Sequence, residues 1–232
     1  MIPTTITSFI CLSTIAIVAA AGALAISSSA RQGSGAAGKL VTGLVAGWMM
    51  VAFVLAWIGA YNTAPGSVPT IEFGISVPIA IGVLAYLAVP GLRTLVHEVP
   101  QHWLIALQVY RAGGAVFLVL WGLGQLPGVF AGPAGLGDVI VGVTAPLVAW
   151  VYARSGQRSR SLATAWNIIG LLDLASALTL GFLATPSRFQ LLAHDAPAGL
   201  VTQFPLVLIP TFIVPLSILL HFASLAKLAQ AR

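Results

Sequence analysis

The chain has 232 residues and a formal net charge of +5, with 59% AVILMFWYC residues and only 6% charged residues. A soluble domain carries about 25% charged residues, so this composition cannot cover a water-facing surface and excludes an ordinary soluble domain. The positive charges are too few and too scattered to indicate nucleic-acid binding, and a lipid bilayer is the predicted surrounding.

Seven apolar stretches are each long enough to cross a bilayer, which takes about 20 mostly apolar residues. The predicted spans are residues 5–27, 39–60, 71–90, 102–126, 135–153, 161–184 and 202–226. Their connections are short, and the apolar runs are continuous rather than alternating. The sequence therefore predicts an all-α fold, an integral membrane bundle of seven transmembrane helices that forms a single domain over residues 1–232.

The positive charges predict the orientation of this bundle. With the N-terminus outside, one outer residue, Arg188, carries positive charge, and Arg111 lies within a span. The eight residues on the inner side are Arg31, Lys39, Arg93, Arg154, Arg158, Arg160, Lys227 and Arg232. This imbalance follows the positive-inside rule and predicts an outer N-terminus and a cytoplasmic C-terminus.

Two of the predicted loops and the last span have unusual compositions. Residues 91–101 are predicted as an inner loop, and residues 125–137, rich in Gly and Pro, as an outer loop. In the last span Pro205, Pro210 and Pro215 recur every five residues. Each proline removes a backbone hydrogen bond, which predicts a bent helix or, alternatively, a hinge beside a cavity.

Arg111 is the strongest functional signal in the sequence. It lies roughly 13 Å into the fourth span, and Asp173 lies roughly 18 Å into the sixth from the same side, at 1.5 Å per residue. Lone charges near the bilayer centre are costly and are expected to face the bundle interior and pair. The sequence therefore predicts a contact between Arg111 and Asp173.

Two further acidic residues are predicted near the outer edge of the membrane. Asp138 enters the fifth span there, and Glu72 begins the third span at a similar level. Either would be a second partner for Arg111 only if the outer loop dips inward. Asp138 shares a helical face with small residues, which predicts that it faces protein.

Three polar residues are predicted at a lower level, namely Gln108, Asn167 and His221. Together with the acidic residues and Arg111 they form a ladder across the membrane. The ladder has two interpretations, a path for protons, ions or a small solute, or an interhelical scaffold of polar contacts. For Gln108 and Asn167 the scaffold is favoured.

A metal or haem site is the alternative on the inner side. Imidazole and carboxylate groups are suitable zinc ligands, and the residues at that level are His97, Glu98, His102 and His221. A haem held by His102 and His221 is a further alternative. The spacing follows no established metal motif, so no cofactor is predicted.

The stretch from Tyr110 to Pro146 resembles a family of bacterial multi-pass membrane proteins without an assigned activity. The resemblance rests on the pattern YRxxG, the pattern LPxxFAxPAGxGD ending at Asp138, and the segment IPTFxVP followed by Leu220-His221. It covers the C-terminal half best and implies no substrate or cofactor. It selects Arg111, Asp138 and His221, which the depth argument also selects.

These patterns favour a membrane protein that binds or transports a small solute, ion or proton through the Arg111, Asp173 and Asp138 centre. In this hypothesis Arg111 holds an anionic group or a resting ion pair, and an Asp exchanges a proton or counter-ion. The alternatives are a metal- or haem-dependent membrane enzyme and a structural or partner-binding subunit. A role other than catalysis is favoured, and a homo-oligomer or a membrane partner stays open.

Overall fold

The structure is a computed structural model that describes residues 2–31, 35–195 and 198–230, and it shows helices but no strand in these ranges. Within the described residues, nine α-helices follow one another. They are α1 (Thr4–Ala30), α2 (Ala36–Trp57), α3 (Ile71–Ala88), α4 (Pro90–Glu98), α5 (Gln101–Ala106), α6 (Ala115–Gly122), α7 (Gly128–Ser155), α8 (Arg160–Ala184) and α9 (Val214–Gln230).

Six helical stretches in the described part of the chain are long and apolar enough to cross a membrane. The longest, Gly128–Ala184, contains both α7 and α8, which are separated by the short 3-10 turn Gly156–Ser159. Contacts join residue 144 to 166, residue 137 to 173 and residue 130 to 181, so the two helices run antiparallel. This architecture supports the prediction of a multi-pass membrane protein.

Two sets of contacts define the opposite ends of the bundle. At one end, the α2–α3 connection meets the segment after α8, where the Arg188 N–H donates to Ser67 O at 3.0 Å and the Thr63 N–H to Thr202 Oγ1 at 3.4 Å. At the other end, the Lys227 Nζ of α9 donates to the carbonyls of His97 and Val99. We call the first the loop end and the second the α4 end.

Helix α7 begins much earlier than the sequence predicts. Residues 128–137, predicted as part of an outer loop, form its first turns, with Pro133 inside the helix. Glycine and proline are more frequent in membrane helices than in soluble ones because neighbours satisfy the freed backbone groups. Asp138 therefore lies ten residues into α7, about 15 Å along its axis, rather than at its edge.

The fourth predicted span is not a continuous α-helix. Between α5 and α6, residues Leu107–Gly114 form a 3-10 helix, which rises about 2.0 Å per residue instead of 1.5 Å and is therefore about 4 Å longer than eight α-helical residues. Its end coincides with Gly113 and Gly114, which are poor helix formers. This segment carries Arg111.

The last span differs from its prediction in its start and its winding. Residues 203–207 form turns instead of helix, and Ile209–Ile213 forms a π-helix that leads into α9. Pro215 has no N–H for the carbonyl of Thr211, and its ring would clash with that carbonyl in an α-helix. The wider π turn relieves this conflict, so the proline pattern produces a bulge at this point.

The connection predicted as an inner loop, residues 91–101, is also helical. Most of it belongs to α4, which begins with Pro90 at its first turn, a position that suits proline. Leu95 is buried, whereas Arg93 and Glu98 are exposed. Arg232, one of the charges used to predict the orientation, lies outside the described residues.

Candidate functional site

Arg111 lies at the centre of a buried polar cluster and uses all three of its guanidinium nitrogens. Its Nε donates to Asp138 Oδ1 at 2.7 Å, and its Nη2 donates to Asp173 Oδ2. Its Nη1 donates to the Gly170 carbonyl at 3.3 Å and lies 3.1 Å from His221 Nε2. Arg111 is only 2% exposed, so the predicted contact with Asp173 is present and its guanidinium is buried, while Asp173 itself is half-buried.

Asp138 is the second partner of Arg111, and the sequence placed it too near the membrane edge. No inward-dipping loop is needed, because α7 is helical from Gly128 and carries Asp138 to the level of the 3-10 segment. Helix α7 also approaches this segment very closely at Gly142, whose Cα faces the backbone of Ala112. The prediction that Asp138 faces protein is confirmed, since it is 9% exposed.

The hydrogen bonds around His221 determine its tautomer. Arg111 can only donate, so His221 Nε2 accepts and carries no proton. Its Nδ1 therefore carries the proton and donates to Asn167 Oδ1 at 2.8 Å, and Asn167 Nδ2 donates to the Ala163 carbonyl at 2.7 Å. His221 is a neutral imidazole in this arrangement, and both of its ring nitrogens are occupied by protein groups.

Asn167 and Asp173 join one cluster although they lie about 120° apart on α8 by helical spacing. Gly170, three residues from each, explains this. A Cβ there would come within 2.5 Å of the His221 ring and 3.2 Å of Arg111 Nη1. The absent side chain leaves a notch that the guanidinium and the imidazole fill, which connects the two sides of the helix.

Glycines bring the other elements of the cluster into contact in the same way. A Cβ at Gly137 would overlap the Asp173 carboxylate, and one at Gly114 would overlap the Asp138 side chain. Small residues allow membrane helices to approach closely. Small residues on α7 predicted the orientation of Asp138, but the packing roles of Gly114 and Gly137 were not predicted. Their signal is their position beside the polar residues, since Gly114 follows Arg111 by three residues and Gly137 directly precedes Asp138.

Gln108 lies next to the cluster and connects the 3-10 segment to α9. Its Nε2 donates to the Ser217 carbonyl at 3.0 Å, and the Tyr110 hydroxyl lies 3.0 Å from Ser217 Oγ. Gln108 Oε1 is buried and has no hydrogen-bond partner among the described residues. These contacts join the 3-10 segment to α9 and fit the scaffold interpretation. The sequence did not predict the contacts that Gln108 and Tyr110 make with Ser217.

The charges of the cluster do not balance when all its groups are ionised. One guanidinium faces two carboxylates, which leaves a net charge of −1 in a buried position. Uncompensated charge is costly in a low-dielectric interior. The arrangement therefore favours one further positive charge, either a proton on a carboxylate or a bound cation.

Two cavities meet at Asp138. The first, the α1 cavity, takes its polar lining from Ser13, Tyr110, Arg111, Asp138 and Ser217. The second, the α3 cavity, extends to Thr185 and Val201 at the loop end. Its ionisable lining residues in the described chain are Glu72 and Asp138.

The residues considered for a metal or haem are not brought together. Glu98 is exposed on α4, and His102 packs its ring against Trp103 with centroids 5.6 Å apart. The His97 carbonyl accepts from Lys227, and His221 is held within the Arg111 cluster. Within residues 2–31, 35–195 and 198–230, no group of three or more His, Cys, Asp or Glu side chains is arranged to hold a metal ion.

Comparison with known proteins places the chain in a family. A family model described as Domain of unknown function (DUF8737) matches residues 68–229. The match covers more than half of the chain, including every residue of the Arg111 cluster, and the chain belongs to this family. Comparisons with curated proteins and with solved structures gave no significant match.

Proposed function

We propose that this membrane protein binds and moves protons through the centre formed by Arg111, Asp138 and Asp173. The observation that carries the proposal is the pairing of one buried guanidinium with two carboxylates. Buried ionisable residues in a membrane are costly and are typical of proton and ion pathways. Because the negative charges outnumber the positive one, this group of side chains changes its charge readily by gaining or losing one proton.

The hydrogen bonds of Arg111 support the resting ion pair over the binding of an anion. Each of its guanidinium nitrogens already donates to, or contacts, a protein acceptor. An anionic solute would have to compete with these acceptors for the guanidinium. We therefore assign Arg111 to holding the two acids and Asp138 to exchanging the proton, because Asp138 lines both cavities.

We also propose an outer N-terminus, a cytoplasmic C-terminus and a bacterial plasma membrane as the location. The orientation is supported by the excess of Lys and Arg at the α4 end, where Arg31, Arg93 and Lys227 lie, over the loop end, where Arg188 lies. The location follows the resemblance to bacterial multi-pass membrane proteins. A C-terminal green fluorescent protein fusion is expected to fluoresce in cells. A C-terminal alkaline phosphatase fusion that is active instead would contradict this orientation.

The test of the proposed function is proton flux in proteoliposomes that contain a pH-sensitive dye and an imposed membrane potential. The wild type is expected to acidify or alkalise the lumen according to the sign of the potential. Asp138→Asn should abolish this flux because the amide cannot exchange a proton. Glu98→Gln, which alters an exposed acid on α4, is the matched control and should conduct like the wild type.

Folding has to be measured on the same preparations, because Asp138 also holds Arg111. Gel-filtration behaviour and thermal unfolding separate lost flux from lost structure. If the wild type shows no proton flux at any of the tested membrane potentials and pH gradients, the proposal is wrong. Undiminished proton flux through folded Asp138→Asn protein would also contradict the proposal and would favour the scaffold interpretation.

A further inference from the structure

We infer that the α3 cavity binds a small organic ammonium ion, a cation whose nitrogen carries apolar groups. The inference rests on the proposed function, because it names the class of solute that would meet the proton-exchanging Asp138. It uses the charge of the cavity, the chemistry of its walls and the position of its two carboxylates.

The charge of the cavity selects a cation. Its ionisable lining residues among those described are two acids from different helices, Glu72 of α3 and Asp138 of α7. Arg111 does not line this cavity and is held behind Asp138 by its own partners. In the described chain the Glu72 carboxylate has no hydrogen-bond or ion-pair partner. An anion would therefore meet only like charge.

The walls of the cavity select an organic cation over a metal ion. Hard cations such as Ca²⁺ take about six to eight oxygen ligands, and the lining offers two carboxylates and the Thr185 hydroxyl, which already donates to the Gly181 carbonyl at 2.7 Å. The other lining side chains are apolar. A bare ion would lose its hydration without finding enough replacements.

Aromatic rings give this cavity the chemistry that recognises alkylated ammonium groups. Phe117, Phe130 and Phe182 line it, and the first two pack edge to face with centroids 5.4 Å apart. Ring faces attract cations, and aromatic surroundings are a common way to bind quaternary ammonium ligands. Leu174 and Ile75 add apolar surface for alkyl groups.

The position of Asp138 links this site to proton exchange. When Asp138 is protonated, an entering ammonium ion replaces the proton, which leaves through solvent in the cavity, and no bond other than O–H is broken. One positive charge enters and one leaves, so the charge of the Arg111 centre is preserved. Glu72, nearer the loop end, meets the cation first.

The experiment is calorimetric titration of the purified full-length protein in detergent with tetramethylammonium chloride. The wild type is expected to bind it and to release about one proton per ligand when Asp138 starts protonated, measured by repeating the titration in buffers of different ionisation enthalpy. The neutral molecule of similar shape, tert-butanol, should not bind measurably. Glu72→Gln should weaken binding by about tenfold, which is about 1.4 kcal/mol.

Two further variants keep the test decisive. Glu98→Gln, an exposed acid at the α4 end, should bind like the wild type. Phe182→Leu keeps the charge of the cavity and removes one ring, and a several-fold loss of affinity is expected. Two results would overturn the inference. The first is a wild type that does not bind tetramethylammonium. The second is unchanged affinity for tetramethylammonium in both folded variants, Glu72→Gln and Phe182→Leu.

The outcomes separate this inference from the proposed function. Proton flux in proteoliposomes without ammonium binding overturns the ammonium site and leaves the proton function in place. Binding that depends on Glu72, but without proton release and without flux, supports the site as a cation-binding pocket and overturns the proposed function.

Discussion

Two spans that carry residues of the Arg111 centre, Gln101–Gly122 and Ile209–Gln230, are strongly apolar like the second span, but their side chains face different surroundings. In the most apolar window of Ile209–Gln230, 50% of the residues are buried, and in Gln101–Gly122 44% are, against 11% in Ala36–Trp57. Lipid tails are as apolar as leucine, so apolarity alone does not drive helices together in a bilayer. Hydropathy therefore finds the spans, and polar and small residues determine which of them pack.

The glycines show the same difference between the two regions. Gly43 and Gly47 of α2 have open space where a side chain would stand, whereas Gly137 and Gly170 lie against the charged and imidazole groups of the centre. Glycine is thus replaceable in the middle of α2 and required at the centre. Gly38, near the start of α2, is packed against α1, since a Cβ there would lie 2.4 Å from the Ala25 carbonyl oxygen. The predictions below test this contrast, from the largest expected effect to the smallest.

Arg111→Ala is expected to cost most, about 3–5 kcal/mol of unfolding free energy, because it leaves two buried carboxylates without their partner. The measurement is reversible unfolding in mixed micelles titrated with a denaturing detergent. The matched control is Arg93→Ala on the exposed face of α4, which should stay within about 0.5 kcal/mol of the wild type. Equal losses of unfolding free energy in Arg111→Ala and Arg93→Ala would contradict the difference described between the buried centre and the exposed surface.

Gly137→Ala should destabilise the protein by about 1–3 kcal/mol, since the new methyl group would overlap Asp173 and force the helices apart. Gly47→Ala in α2 meets no atom and should be neutral or stabilising by up to about 1 kcal/mol, because alanine is the better helix former. Unfolding in the same mixed micelles measures both. Destabilisation of similar size at the two positions would contradict the packing described for α2.

His221→Phe should lower the unfolding free energy by about 1–3 kcal/mol, because Asn167 loses its partner and Arg111 loses one. His102→Phe is the control, since its half-buried ring contacts Trp103 outside the cluster. Nitrogen NMR of histidine-labelled wild type should show His221 as the Nδ1–H tautomer. A spectrum with the proton on Nε2 would contradict the contact with Arg111.

Phe53→Leu should have the smallest effect, a loss of about 0.5–1.5 kcal/mol, the usual range for an aromatic contact. Phe53 stacks near Trp57 and meets the Phe204 ring edge to face at 5.4 Å, which is one place where α2 contacts the C-terminal half. Val51→Leu on the exposed surface of α2 is the control and should change little. A loss above about 3 kcal/mol would show that α2 is more deeply packed than described.

The sequence predicted the helical class from the length and continuity of its apolar runs, and the Arg111–Asp173 contact from depth. Residue position fixes depth in a span, and charges at one depth must pair. Composition misled the prediction at residues 128–137, where glycine and proline indicate a loop in water but are tolerated in a helix that other helices cover. Asp138 was consequently placed too near the membrane edge.

The winding of the backbone could not be predicted from hydropathy. The 3-10 segment Leu107–Gly114 and the π segment Ile209–Ile213 have apolar neighbours like any span, and their geometry follows from local conflicts at Gly113, Gly114 and Pro215. Nor did periodicity place Asn167 and Asp173 in one cluster, because helical spacing does not show that His221 and Arg111 fill the notch at Gly170. Tertiary contacts determined these features.

The order of the charged residues along the chain has a consequence for biosynthesis. Arg111 is translated 27 residues before Asp138 and 62 before Asp173, and at about 5–20 residues per second the first partner follows some seconds later. A central arginine costs about 2.5–3.5 kcal/mol during insertion. We therefore expect the fourth and fifth spans to enter the bilayer as a hairpin, with the nascent Arg111 sheltered at the translocon until Asp138 arrives.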